Sequence, residues 1–167
     1  MSAWGGFKRK VHGVLAGWII SGFFFSLVGL GTQIPLWVGA LALSTILVPL
    51  INGSNQAIWQ SKVVPDLQGR VFSARTLIAW MTNPISPLIA GTLADYVLEP
   101  AMRVQGGLAS TLGWLVPPGP GAGMGLLIFF GGLGGVLAGL AGYFVSAIRN
   151  AEDILPDHDA LPSAEAA

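Results

Sequence analysis

Lys62-Val-Val-Pro-Asp-Leu-Gln-Gly-Arg-Val-Phe-Ser-Ala-Arg75 is the one cluster of charge in the middle of this chain. Before it, residues 11–61 contain no Asp, Glu, Lys or Arg, and after it residues 76–94 contain none. A further charge-free run covers 104–148. A bilayer core about 30 Å thick takes roughly 20 apolar residues per helix, so these runs supply four spans. Residues 62–75 then read as a short polar loop between two of them. The expected fold class is all-α: a polytopic helical membrane protein with four transmembrane helices.

Composition points the same way. The chain has 167 residues, of which 53% are hydrophobic and 10% charged, and its mean hydropathy is +0.68. Soluble domains carry about 25% charged residues, so a water-soluble globule would lack polar surface. The net charge of zero comes with no basic stripe, which argues against nucleic acid as a partner. With no cysteine there is neither a disulfide framework nor a thiolate metal site. No Ser-His-Asp set, paired intramembrane carboxylates or phosphate loop is present, so the expectation is no enzyme, no cofactor and no metal.

Lys8, Arg9 and Lys10 precede an apolar segment in the manner of a signal peptide. The charge-free run that follows is too long for a signal h-region and lacks a small-residue cleavage site, so it reads as a retained first span. The expected layout is a cytoplasmic segment 1–10, spans at about 11–31, 36–60, 71–95 and 122–148, and an exposed outer loop over 96–121. Gly and Pro punctuate the chain between the first two spans, at Gly29-Leu-Gly-Thr-Gln-Ile-Pro35. The acidic, Pro- and Ala-containing tail 150–167 is expected to be disordered. With four spans, Lys8, Arg9, Lys10, Lys62, Arg70, Arg75 and Arg149 share one face, and only Arg103 lies on the other. The positive-inside rule makes that face, with both termini, cytoplasmic.

Polar groups within spans are costly and mark function in membrane proteins. Asn52, Asn55 and Gln56 follow Ser44 and Thr45 in the second span, with Asn52 and Gln56 on one helix face. They are candidates to line an aqueous cavity and touch substrate; contact with neighbouring helices or the interface is the plainer reading. Asn83, Pro84 and Pro87 sit near the centre of the third span, where proline removes donors and kinks the helix. Such interruptions often lie near transporter substrate sites, or simply shape the helix. Gly131, Gly135 and Gly139 form a four-residue repeat suited to close helix packing, echoed by Gly13 and Gly17. Asp95 is too near the outer surface to titrate in a cavity. Within the charged cluster Asp66, Gly69, Arg70 and Arg75 are candidates for a gating latch, against the reading of ordinary solvated charge.

The stretch from Asn52-Gly-Ser-Asn-Gln-Ala-Ile-Trp-Gln60 through Arg75 resembles the loop between the tenth and eleventh helices of major facilitator superfamily transporters. It is similar to the bacterial efflux branch that includes macrolide and enterobactin exporters. Ala90-Gly-Thr-Leu-Ala-Asp95, Glu99-Pro-Ala-Met102, Gly119-Pro-Gly-Ala-Gly-Met-Gly125 and Arg149-Asn-Ala-Glu-Asp-Ile-Leu-Pro-Asp157 extend the resemblance over about 36–157. It implies a proton-coupled antiporter exporting small molecules across the bacterial inner membrane, with the four spans here as the last four of twelve helices. Such carriers are built from repeated three-helix units, and four spans are too few to enclose a two-sided pathway. The chain is therefore expected to be the C-terminal part of a transporter. Its partners would be the lipid bilayer, a missing N-terminal transporter portion or partner chain, and a small-molecule substrate. The alternative is a non-transporting membrane scaffold, accessory protein or truncated remnant. A self-sufficient four-helix carrier working as a dimer would need an acid in its first span, and there is none.

Overall fold

The computed structural model describes residues 9–31, 33–103 and 106–154, and every element among them is helical. In chain order they are α1 (Lys10–Leu30), α2 (Ile34–Ile46), α3 (Val48–Lys62), α4 (Pro65–Thr82), α5 (Ile85–Leu93), a π-helical turn (Ala94–Leu98), α6 (Glu99–Ala101), α7 (Ala109–Leu112), α8 (Ala122–Phe144), α9 (Ser146–Arg149) and α10 (Ala151–Ile154). They stack into four rods long and apolar enough to cross a membrane: Lys10–Leu30, Ile34–Lys62, Pro65–Ala101 and Ala122–Phe144.

Two rods are interrupted by proline. Ile34–Lys62 breaks at Leu47, because Pro49 has no N–H for the carbonyl of Thr45 and its ring crowds that carbonyl. Pro65–Ala101 breaks at Asn83-Pro84, as the Asn-Pro-Ile-Ser-Pro pattern suggests. Restarting the helix at Ile85 places Pro87 in the first turn of α5, where its missing N–H would have had no intrahelical partner.

The centre of the molecule is α1, which packs against α8, α2 and α3. Along α8 the seam is glycine. A Cβ on Gly22 would lie 2.7 Å from the Gly132 carbonyl, one on Gly125 would lie 2.8 Å from the Gly29 carbonyl, and one on Gly139 would lie 3.0 Å from the Leu15 carbonyl. Each step of seven residues along α1 is matched by seven back along α8, the register of an antiparallel pair with a heptad seam. Small residues on both helices let the two backbones approach closely, so van der Waals contact runs the length of this pair. Buried Ser26 adds to it, its hydroxyl lying 3.0 Å from the Gly22 carbonyl and 3.2 Å from the Phe129 carbonyl across the seam.

The third rod stands apart. No residue of α4 or α5 is buried, and its packing against the bundle is concentrated at its Ala94–Ala101 end, beside the start of α8.

Three sequence expectations are corrected. The charged cluster 62–75 is not a loop: only Val63 and Val64 leave helical geometry, and α4 begins at Pro65. Pro65 is preorganised for a helix start, and Asp66 lies in the first turn, where the helix dipole favours an acid. The third span therefore begins well before residue 71. Residues 96–121 are not simply an exposed loop either. Met102, Val116, Ala122 and Leu126 form a buried cluster there, with Leu30, Leu108, Leu112 and Leu115 packed against it. Leu108, Leu112 and Leu115 recur at three- and four-residue intervals, which puts them on one side of a short helical turn. The tail does not become irregular at residue 150, because α10 forms and is tied to the start of α1; the rest of the expected disordered tail lies outside the described residues. So do residues 1–8 of the expected N-terminal segment.

Candidate functional site

The end of the bundle that carries charge is built from three separate stretches of chain. Glu152 Oε1 accepts the backbone N–H of Lys10 at 3.1 Å, capping the first turn of α1, which has no local side-chain cap. Lys62 Nζ at the end of α3 donates to the Glu152 carbonyl at 2.7 Å. Arg9 pairs with Asp153 at 3.0 Å, both about half exposed, and such a pair is worth under about 1 kcal/mol. His12 stacks on Tyr143 with ring centroids 5.6 Å apart, and Arg149 Nη1 reaches the Tyr143 carbonyl at 3.4 Å. The start of α1, the end of α3 and the segment after α8 are thereby drawn to one end, as the four-span reading requires.

The same end joins α3 to α4. Gln68 Nε2 donates to the carbonyls of Gln60 (3.2 Å) and Val63 (2.9 Å), two acceptors left over at the end of α3. The Arg75 guanidinium lies 5.4 Å from the centre of the Trp59 ring, a cation–π contact. Asp66 and Arg70 share a helix face and are exposed, with no ion pair between them among the described residues. Gly69 sits inside α4 with open space around it.

Further along the rods, Asn52 and Gln56 are exposed on α3 and Asn55 is half-buried. None of their side chains has a hydrogen-bond partner among the described residues, and no hydrogen bond joins them to the break in the third rod. At that break Asn83, Pro84 and Pro87 are all exposed. Pro84 offers no N–H to the Trp80 carbonyl. Hydroxyls nearby are engaged locally: Thr82 donates to Ile78 at 2.9 Å and Ser86 to Thr82 at 3.1 Å.

Of the glycines singled out in α8, Gly139 lies in the α1 seam and Gly135 borders it, 3.5 Å from Gly22 Cα as measured from an added Cβ. Gly131 faces the edge of the Phe25 ring at 3.9 Å, and Gly17 in α1 faces Ile51 of α3.

The opposite end holds a residue, Glu99, that the sequence reading quoted within a resemblance but gave no structural role. Glu99 Oε1 accepts the N–H of Gly121 at 2.6 Å and Oε2 that of Gly123 at 2.8 Å. This carboxylate caps α8 from another rod, where Gly121 at φ 87° leaves the helix start without a side chain of its own. No local pattern signals it, because donor and acceptor are more than twenty residues apart. Beside the cap, a cavity of about 470 Å³ lies between Val28, Leu30, Trp37, Val116, Pro117 and Met124. The Trp37 indole already donates to the Gly31 carbonyl at 2.6 Å, so this cavity offers little polar recognition. Among the described residues no group of three or more His, Asp or Glu is placed to hold a metal ion.

No family model, curated protein or solved structure matches this chain.

Proposed function

We propose that this chain is the C-terminal part of a proton-coupled secondary transporter of the major facilitator type. In this reading it exports small molecules across a bacterial inner membrane, with its charged end and termini in the cytoplasm. One observation carries the reading: an apolar rod interrupted by Asn83-Pro84, with Asn52, Asn55 and Gln56 on the preceding rod and no side-chain partners for these amides among the described residues. Broken helices and unpaired polar groups at membrane depth belong where they line a pathway or meet other helices. A pathway with two gates needs more walls than four rods offer, so further helices, from a missing N-terminal portion or a partner chain, complete it.

The test is dye retention in cells with and without the gene, in the presence and absence of a protonophore. Loss of the gene is expected to raise retention to the level seen with the protonophore for at least one lipophilic dye. Unchanged retention across a broad dye panel would overturn the transport reading and leave a membrane scaffold. The purified chain alone in proteoliposomes is expected to show no proton-driven efflux; robust efflux there would overturn its incompleteness.

A further inference from the structure

The second and third rods both break at a similar distance from the turn that joins them. Leu47 is 16 residues from Val63, and Asn83 is 19 from Val64. At roughly 1.5 Å per residue these are about 24 and 28 Å of helix. Proline removes a helical hydrogen bond at each break, so bending concentrates there. Between the breaks, α3 and α4 are tied to each other. Gln68 Nε2 donates to the carbonyls of Gln60 and Val63, and the Arg75 guanidinium lies over the Trp59 ring. The two inner halves thus form one helical hairpin with a pivot at each root.

No residue of α3 or α4 is buried, so little holds this hairpin against the bundle. Its contact with α1 runs along one side of α3. Gly17 packs on Ile51, and Asn55, Ile58 and Lys62 follow Ile51 at helical spacing, all half-buried. Lys62, the last of them, ends on α10. Its Nζ donates to the Glu152 carbonyl at 2.7 Å, while the Glu152 carboxylate accepts the Lys10 N–H of α1 at 3.1 Å. One residue therefore joins the hairpin to α1, by its backbone on one side and its side chain on the other. The Arg9–Asp153 pair braces the same junction at 3.0 Å. No residue from Phe144 to Ile154 is buried. Polar contacts alone hold α10, and no core has to open to release it.

We infer that α9 and α10 are a strap that latches the α3–α4 hairpin against α1, and that its release lets the hairpin swing about Leu47 and Asn83. The outer halves stay in place. Ser21 Oγ of α1 donates to the Ser44 carbonyl of α2 at 2.9 Å, and Glu99 fixes the outer end of the third rod to α8. Small φ/ψ changes at a few element-terminal residues suffice for such a movement. It opens the charged end and uncovers Asn55. The strap rests on these contacts and not on the transport reading, and its test does not use transport.

The chain has no cysteine, so pairs of introduced cysteines carry spin labels cleanly. Leu67→Cys with Phe144→Cys measures the hairpin against α8, and Val38→Cys with Tyr96→Cys measures the outer halves; all four positions are exposed. Distances are read by double electron–electron resonance on the full chain in phosphatidylethanolamine–phosphatidylglycerol vesicles. The parent is expected to show one dominant inner distance. Lys62→Met and Glu152→Ala are each expected to raise the fraction at a longer inner distance about 3- to 10-fold, the worth of one hydrogen bond. Glu152→Gln keeps an acceptor oxygen and the backbone carbonyl, and is expected to match the parent. The outer distance is expected to stay fixed throughout. An unchanged inner distance in either Lys62→Met or Glu152→Ala would overturn the latch, as would Glu152→Gln behaving like Glu152→Ala. An outer distance that shifts with the inner one would overturn the pivots, by showing that the chain loosens as a whole.

Discussion

At the residue scale, glycine shows best what can be read from one sequence. The four-residue repeat Gly131, Gly135, Gly139 marks α8 as a packing helix, but the seam with α1 follows Gly125, Gly132 and Gly139. With so many glycines on α8, choosing among them requires knowing which side α1 covers, and that lies in no local pattern. Contact geometry assigns different consequences to two glycines of similar appearance. A Cβ on Gly29 would run into the Gly125 carbonyl and the Phe129 backbone, and backbone cannot step aside as a flexible side chain can. Gly29→Ala is expected to destabilise the fold by about 1–3 kcal/mol, the usual cost of overpacking. Gly69 is in the interior of α4 with nothing within 4 Å of an added Cβ. Gly69→Ala is expected to stabilise α4 by about 0.5–1 kcal/mol, because alanine removes backbone freedom from the unfolded chain. Thermal unfolding of the two variants in detergent should move in opposite directions. Equal shifts would mean that the α1–α8 contact is looser than these distances imply.

At the element scale, the proline positions were legible and the capping was not. Asn83-Pro84 announces its own break because proline's effect is local and covalent. Pro65 and Asp66 carry an equally local start signal, yet charge density made the stretch read as loop. The helix forms regardless, since exposed Arg70 and half-buried Gln68 are compatible with α geometry. Glu99 was silent because its role depends on two rods meeting. Both of its oxygens accept backbone N–H groups at the positive end of α8. Glu99→Ala is expected to cost about 0.5–2 kcal/mol, and Glu99→Gln less, since an amide keeps one acceptor oxygen. Hydrogen exchange distinguishes a cap from general destabilisation. The Gly121 and Gly123 amides should lose protection in Glu99→Ala while the middle of α8 stays protected. Uniform loss along α8 would show that Glu99 supports the whole rod instead.

At the scale of the molecule, four apolar rods were legible from runs without charge, while their packing order was not. Hydropathy carries no information on which rods touch. The central place of α1 follows from small residues along its contact with α8 and from the long-range cap by Glu152. The sidedness of the bundle does rest on sequence, and the structure sharpens the means of testing it. Arg9, Lys10, Lys62 and Arg149 lie at the end where Glu152 and Asp153 also gather, so nearby acids offset part of their charge. Orientation depends on Lys and Arg counted in short loops, and acids contribute little to it. The charged end is therefore expected to remain cytoplasmic despite Glu152 and Asp153. Gln68→Cys reports on that end, and Gly119→Cys on the opposite one, where an added side chain meets nothing within 4 Å. In intact cells a membrane-impermeant maleimide is expected to label the second variant and to reach the first only after permeabilisation. The reverse pattern would show that the acids in the α9–α10 segment do count against the basic cluster, and would invert the whole bundle.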